Sequence, residues 1–287
     1  MYYILPSRCF FLCIILLLQP ISNFSHAETV ISFHRKGYQL SLLLLALEKT
    51  IPSHGAYKVN TIKVKMNADR SKHELTLNTF PNLVFASAGD HQFFNQYAYA
   101  PFPIELGLFG YRVPMHHKDN TDKFSNITAI KQISNHHIIQ GIGWFDTKVL
   151  TDNGFNLVNE GISKALEKMI STKRAELYFC SLADFKKERQ EGVVINKQFG
   201  LFYSSPRFFI AHKSNKTITD RLYKGLVLAF NDGSLEKLME KYFFRKHSKS
   251  YLFNRYFIEL ENNDIEGIDE RYFEWHKTLA NHFSLQK

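Results

Sequence analysis

Beyond its first thirteen residues the chain holds a single cysteine, Cys180. One thiol forms no internal disulfide, so a small disulfide-stapled fold is excluded and packing alone must hold the core. A chain of this size buries enough surface to do that. Only one long apolar run exists, Cys9 to Leu18, and no second stretch is long enough for a transmembrane helix. Basic residues are scattered, with no long run and no nucleic-acid motif, so nucleic acid is not expected as a partner. Catalytic signatures are missing too. There is no His-Glu-x-x-His, no Gly-x-Ser-x-Gly and no phosphate loop ending in Gly-Lys-Ser/Thr, so no enzyme is expected and no catalytic residue is assigned. The thirteen histidines include His116-His117 and His136-His137, but neighbours on a strand point to opposite faces. No spacing converges three or four ligands, so neither a metal site nor a cofactor is expected.

What is present begins with the first 27 residues. Arg8 precedes the apolar run, and Ser25-His26-Ala27 has small residues where a signal peptidase reads. This predicts a secretory signal peptide over 1–27, cut after Ala27, and a periplasmic mature chain. Arg8 is the only charge in that leader. The remainder carries 35 basic and 27 acidic side chains, a surplus of eight that suits an anionic solute or an acidic envelope surface.

The chain then reads as alternating strands and helices. Thr29 to Phe33 is a β-branched strand, and Gln39 to Lys49 is a helix so rich in leucine that it must be buried on several sides. Tyr57 to Met66 alternates like a strand with one wet face, a helix opens near Asn67, and Asn82 to Ala86 is a third strand. Pro101 to Arg112 breaks this pattern and reads as a crossing into a second lobe. There, Ile138-Ile139 suits a buried strand, Gly141 and Gly143 a turn, and Trp144 to Leu150 a helix. Residues 155–158 and 176–179 are strands around an amphipathic helix, Ile162 to Ile170. Ser181 and Asp184 have the spacing of a capping box for the next helix. Gly200 to His212 reads as the return crossing, followed by two helices joined at Asn231-Asp232-Gly233-Ser234. The tail, 245–287, is aromatic, of mixed charge and free of low-complexity bias, and is expected to be ordered on the first lobe.

Four stretches, Gly107-Leu-Phe-Gly-Tyr-Arg112, Gln140-Gly-Ile-Gly-Trp-Phe-Asp146 with Thr151 to Phe155, Arg174 to Phe179, and Leu226 to Phe243, occur in an order that resembles the extracellular solute-binding family 3, the periplasmic receptors of ABC transporters. The resemblance spans about residues 28 to 245. It implies an α/β, two-lobed periplasmic-binding-protein-like fold of type 2. Each lobe would be a mostly parallel sheet flanked by helices, and a two-strand hinge would join them. The lobes are expected at 28–105 with 205–287, and at 106–204. The resemblance also implies a monomeric receptor that binds a small polar ligand, anionic or amino-acid-like, and presents it to a membrane permease or sensor. Two alternatives stay open: a ligand-free adaptor on the same fold, and an enzyme that retains it.

Six residues are candidates for the ligand site. Arg112 offers a planar fork for a carboxylate or phosphate, or else forms a salt bridge at the surface or the lobe interface. Trp144 can cover a ligand, or pack in its own core. Gly143 starts a helix whose free amides favour an anion. Asp146 can meet a cation or serve as an acid in the first helical turn. Arg70 and Tyr38 sit at the starts of helices that follow strands, the ends that face the crevice in open α/β sheets.

Overall fold

The computed structural model describes residues 28–64, 66, 68–159, 163–184, 190–244, 254–272 and 275. The expected signal peptide, Ile162, the helix expected after Asp184 and most of the tail lie outside the described residues.

The chain opens with strand β1 (Thr29–Phe33), helix α1 (Tyr38–Lys49), a short helix α2 (Ile51–His54) and strand β2 (Tyr57–Thr61). Helix α3 (Ala68–Leu77), strand β3 (Val84–Ala88), helix α4 (His91–Asn95) and strand β4 (Ala98–Tyr99) follow. The expected strand to Met66 stops at Thr61. Val64 is exposed, so the alternation beyond Thr61 serves no sheet face. The crossing carries a 3-10 turn, Leu108–Gly110, before β5 (Tyr111–His117).

The second lobe continues with β6 (Ile138–Gln140), α5 (Phe145–Asp152), β7 (Leu157–Asn159), α6 (Ser163–Ser171), β8 (Leu177–Ser181), β9 (Val193–Ile195) and β10 (Phe199–Phe202). The return gives β11 (Arg207–Ala211), α7 (Lys216–Asn231), α8 (Ser234–Met239) and, in the tail, β12 (Tyr256–Glu259).

In the first lobe β1 and β2 run parallel, and a parallel bridge from Ser32 to Leu83 carries the sheet on to β3. β11 then pairs antiparallel with both β3 and β4. The leucine-rich α1 packs with α7 in one core that contains Leu42, Leu43, Ala46, Leu47, Leu222, Leu226 and Ala229. Arg221 of α7, 1% exposed, ties that helix to the start of β1 and to the chain just after α1: its guanidinium donates to Thr29 Oγ1 at 2.7 Å, Thr50 Oγ1 at 3.0 Å and the Gly55 carbonyl at 2.7 Å.

The second lobe has one sheet in the order β7-β6-β8-β5-β10-β12, with β9 on β5. β6, β7 and β8 are parallel, whereas β5 is antiparallel to β8, β9 and β10. Residues at the inner strands are uniformly buried, which is why β8 reads as an unbroken apolar run rather than an alternating one.

The tail departs from the expectation that 245–287 lies on the first lobe. β12 pairs parallel with β10, and Ile258 and Leu260 join the second-lobe core beside Phe199, Leu201 and Tyr203. Ile268 and Tyr272 then bury in the first lobe with Phe94, Phe208 and Ile210. The open edge of β10 and the alternation of Tyr256 to Leu260 account for the first half of this path.

Candidate functional site

Two strand ends, those of β3 and β6, carry short loops that lead into helices, and these loops line the crevice. After β3, Asp90 caps α4, its Oδ1 accepting from the Phe93 N–H at 2.6 Å. After β6 comes the Gly141–Gly143 turn. Gly143 has φ +69°, a backbone shape that a side chain resists, and it opens toward Asp69 of α3. A Cβ at Gly143 would lie 3.1 Å from Asp69 Oδ2, so the two lobes meet here. At Gly141 a Cβ would lie 2.2 Å from the indole of Trp144, because that ring folds back over the glycine.

A cavity of about 520 Å³ lies between these walls. Lys72, Ala88, Gly89, Asp90 and Phe93 line it from the first lobe, and Gly143, Trp144, Phe145, Thr147, Lys148, Thr151 and Asp152 from the second. It offers three aromatic side chains, Phe93, Trp144 and Phe145, among side chains of both charge signs. Gly143 and Trp144 therefore lie at the cavity. Trp144 is half-buried, its other side directed at Tyr178, ring centres 6.4 Å apart.

Arg112 and Asp146 come together, but away from that lining. Arg112 Nη2 donates to Asp146 Oδ1 at 2.5 Å, and both side chains are almost completely buried. Arg112, expected to clamp an anionic ligand, is thus already engaged. Burial works against its charge, but Asp146, Tyr203, Asp184 and Cys180 together outweigh this and push its pKa up. Its guanidinium also lies 4.3 Å from the ring centre of Phe109. On Phe109 a second guanidinium rests at 4.1 Å, that of Arg207.

Arg207 begins the return strand β11, and Glu105 lies in the outward crossing. Arg207 Nε donates to Glu105 Oε1 at 2.9 Å, joining the two crossing segments with a buried ion pair. Asp184, on the 3-10 turn after β8, adds a contact at 3.5 Å from the second lobe. Arg35, just after β1, lies over Phe85 at 5.3 Å, and its buried Nε has no hydrogen-bond partner among the described residues. His34 stacks on the same Phe85, and its pKa falls to about 4 because burial, and then the Arg35 charge, disfavour its protonated form.

The other two candidates lie elsewhere. Tyr38 is buried in the first-lobe core against Phe243, its hydroxyl donating to the Ile104 carbonyl at 2.5 Å. Arg70 is half-exposed on α3 and pairs with Glu74 at 3.4 Å along the helix. A helix start after a strand placed both in the right quarter of the lobe without aiming either side chain. Ser181 caps only the 3-10 turn, accepting from the Ala183 N–H at 3.1 Å while donating to the Phe109 carbonyl at 3.0 Å.

Asp90 and Phe93 were missed. Gly89 follows the β3 strand as Gly141 follows β6, and a glycine straight after an apolar strand is the available signal. Glu105 and Arg207 were legible only as lone charges in apolar crossings. Among the described residues no group of acidic, histidine or cysteine side chains has metal-binding geometry, and no helix is long and apolar enough to cross a membrane.

No protein-family model matches the chain, and no curated protein does. Solved structures do. A histidine kinase sensor domain with similarity to periplasmic binding proteins superposes with a TM-score of 0.57 at 11% identity, covering 76% of this chain and 96% of that one. A probable amino-acid ABC transporter extracellular-binding protein from Bacillus subtilis gives 0.56 at 15%, covering 76% and 97%. An ancestral arginine-binding protein bound to arginine gives 0.54 at 15%, covering 76% and 98%. The chain has the two-lobed type 2 periplasmic-binding fold.

Proposed function

We propose that the chain is an exported receptor that closes its lobes on a small polar solute and presents the closed form to a membrane transporter or sensor. The observation that carries this reading is the cavity whose walls come from both lobes at the carboxyl ends of their strands, where open α/β sheets place ligands. A solute touching both walls binds the closed arrangement better than the open one and shifts the population toward it. Phe93 and Trp144 supply apolar cover, while Lys72, Lys148, Asp90 and Asp152 supply both signs of charge. That mixture suits a zwitterion of amino-acid size better than a multiply charged anion. We take residues 28–105 and 205–244 as one lobe and 106–204 as the other, with Glu105 and Arg207 at the hinge. The working unit is read as a monomer without cofactor or metal, exported by a leader that ends at Ala27.

The likeness to a transporter-binding protein and to a sensor domain leaves both outlets open. A ligand-free adaptor is the second reading. It is favoured by one observation: Asp146 occupies the arginine that would otherwise meet an anion.

Native mass spectrometry of protein recovered from the periplasm and purified without refolding tests the proposal. The expected result is a chain beginning at Glu28 that carries a small solute, released on denaturation. A chain retaining residues 1–27 would overturn export by cleavage. A protein that is always empty, and stays empty after exposure to cell extract, would favour the adaptor.

A further inference from the structure

The part of the chain after β12 touches the second lobe and then the first. It leaves the second-lobe sheet at Leu260, whose N–H donates to the Phe202 carbonyl at 2.8 Å. Asn153, just past the end of α5, then clasps the backbone of Glu261, donating to its carbonyl at 2.8 Å and accepting from its N–H at 3.0 Å. One turn back on α5, Lys148 pairs with Asp264 at 2.8 Å. At the first lobe Gly267 packs against His91 of α4, and the Asp269 N–H donates to the Tyr99 hydroxyl at 3.0 Å. Ile268 and Tyr272 anchor that end, both almost completely buried, and the Tyr272 hydroxyl meets Ser204 Oγ at 2.8 Å.

The two elements tied by this segment are those that face each other across the cavity: α5 on the second lobe, α4 with its flanking strand on the first. We infer that residues 261–272 form a strap that limits how far the lobes separate and holds the solute-free protein toward its closed arrangement.

Chain length sets the limit. The five-residue step from Asp264 to Asp269 spans at most roughly 18 Å when fully extended. Wider separation of α5 from Tyr99 has to break a contact. The two ends are unequal. Burying an Ile and a Tyr side chain stabilises far more than a partly exposed ion pair such as Lys148–Asp264. Opening therefore releases the α5 end first: the Asn153 clasp and the Lys148 pair come off, while Ile268 and Tyr272 stay seated on the first lobe. The second end near β12 stays in its sheet, where Ile258 and Leu260 are buried.

The test is the distance between spin labels at two exposed positions, His73→Cys on α3 and Lys168→Cys on α6, in otherwise full-length protein with no added solute. The unaltered strap is expected to give a short, narrow distribution. Asn153→Ala with Asp264→Ala, which frees the α5 end alone, is expected to lengthen and broaden it, and Tyr99→Phe to do so in part. These positions are partly exposed, so the variants keep their cores. Distributions that coincide for the parent and the Asn153→Ala, Asp264→Ala variant would overturn the strap. No ligand enters this measurement, so its outcome is independent of whether the cavity binds a solute.

Discussion

Arg112→Met is expected to be the most damaging single substitution among the candidate site residues, costing about 3–5 kcal/mol of folding stability, because it removes one partner from a buried ion pair and strands the other charge. Both members are shielded from water, with 2% and 5% of their side chains exposed, so solvent cannot take over the missing contact. Two further readouts separate this cause from lost packing volume. Burial already holds the Asp146 carboxyl above its ordinary pKa, with Arg112 pulling it down, so losing Arg112 raises it further and drives it to take up a proton. A group shifted that way favours the folded state most at low pH and loses the benefit as pH rises through its folded pKa. The deficit of Arg112→Met relative to wild type should therefore be smaller at pH 5 than at pH 8. The second readout is the double variant Arg112→Met, Asp146→Leu. Replacing both charges by apolar groups is often neutral, so most of the loss should return. Urea unfolding measures all of these. A single variant within about 1 kcal/mol of wild type, the range of an exposed pair, would show that the pair contributes no more than a surface contact.

Gly225→Ala is expected to destabilise the first lobe by about 2–3 kcal/mol, through overpacking between α7 and α1. Helix propensity points the other way, favouring alanine over glycine by about 1 kcal/mol in a helix interior. Distance decides between the two effects. A Cβ at position 225 would lie 2.0 Å from the Ala46 carbonyl oxygen and 2.8 Å from Ala46 Cα, and those atoms are backbone that no rotamer change can move. The helices must separate, and the leucines that fill their shared core lose contact. Calorimetry should show a lower melting temperature. A rise would mean that propensity wins and that the helices do not cross as closely as described.

The comparison of α1 with Arg112 explains what a sequence discloses. Leu42, Leu43 and Leu47 needed only their own spacing to announce a buried helix, and the strand–glycine–Trp144 turn was equally local. Arg112 lies at the end of the crossing, yet its role depends on Asp146, 34 residues away, and nothing in either neighbourhood states that the two meet. Both readings offered for Arg112, a ligand clamp and a salt bridge, were consistent with one strand. Tyr38 and Arg70 show the same limit in another form. The rule that ligands gather at strand ends selects a region, and the rotamer then decides whether a side chain faces the crevice or the core. The path of the tail is not legible locally because its strand, Tyr256–Glu259, pairs with an edge that exists only after β10 is in place. Lone charges in apolar segments, Glu105 and Arg207, were the underused signal, since a charge on a buried strand needs a partner and so predicts one.

The melting temperature of the protein, freed of any carried solute and screened against single amino acids, organic acids and polyamines, tests the solute cavity most directly. A ligand at a hundred times its Kd stabilises the folded form by about 2.7 kcal/mol. At roughly 2–4 °C per kcal/mol for a chain of this size, one member of the panel should raise the melting point by about 5–10 °C. In Trp144→Ala, which removes one face of the cavity, the same solute should produce little or no rise. A panel in which no compound moves the melting point, or a solute that stabilises wild type and Trp144→Ala equally, would contradict a solute site between the lobes.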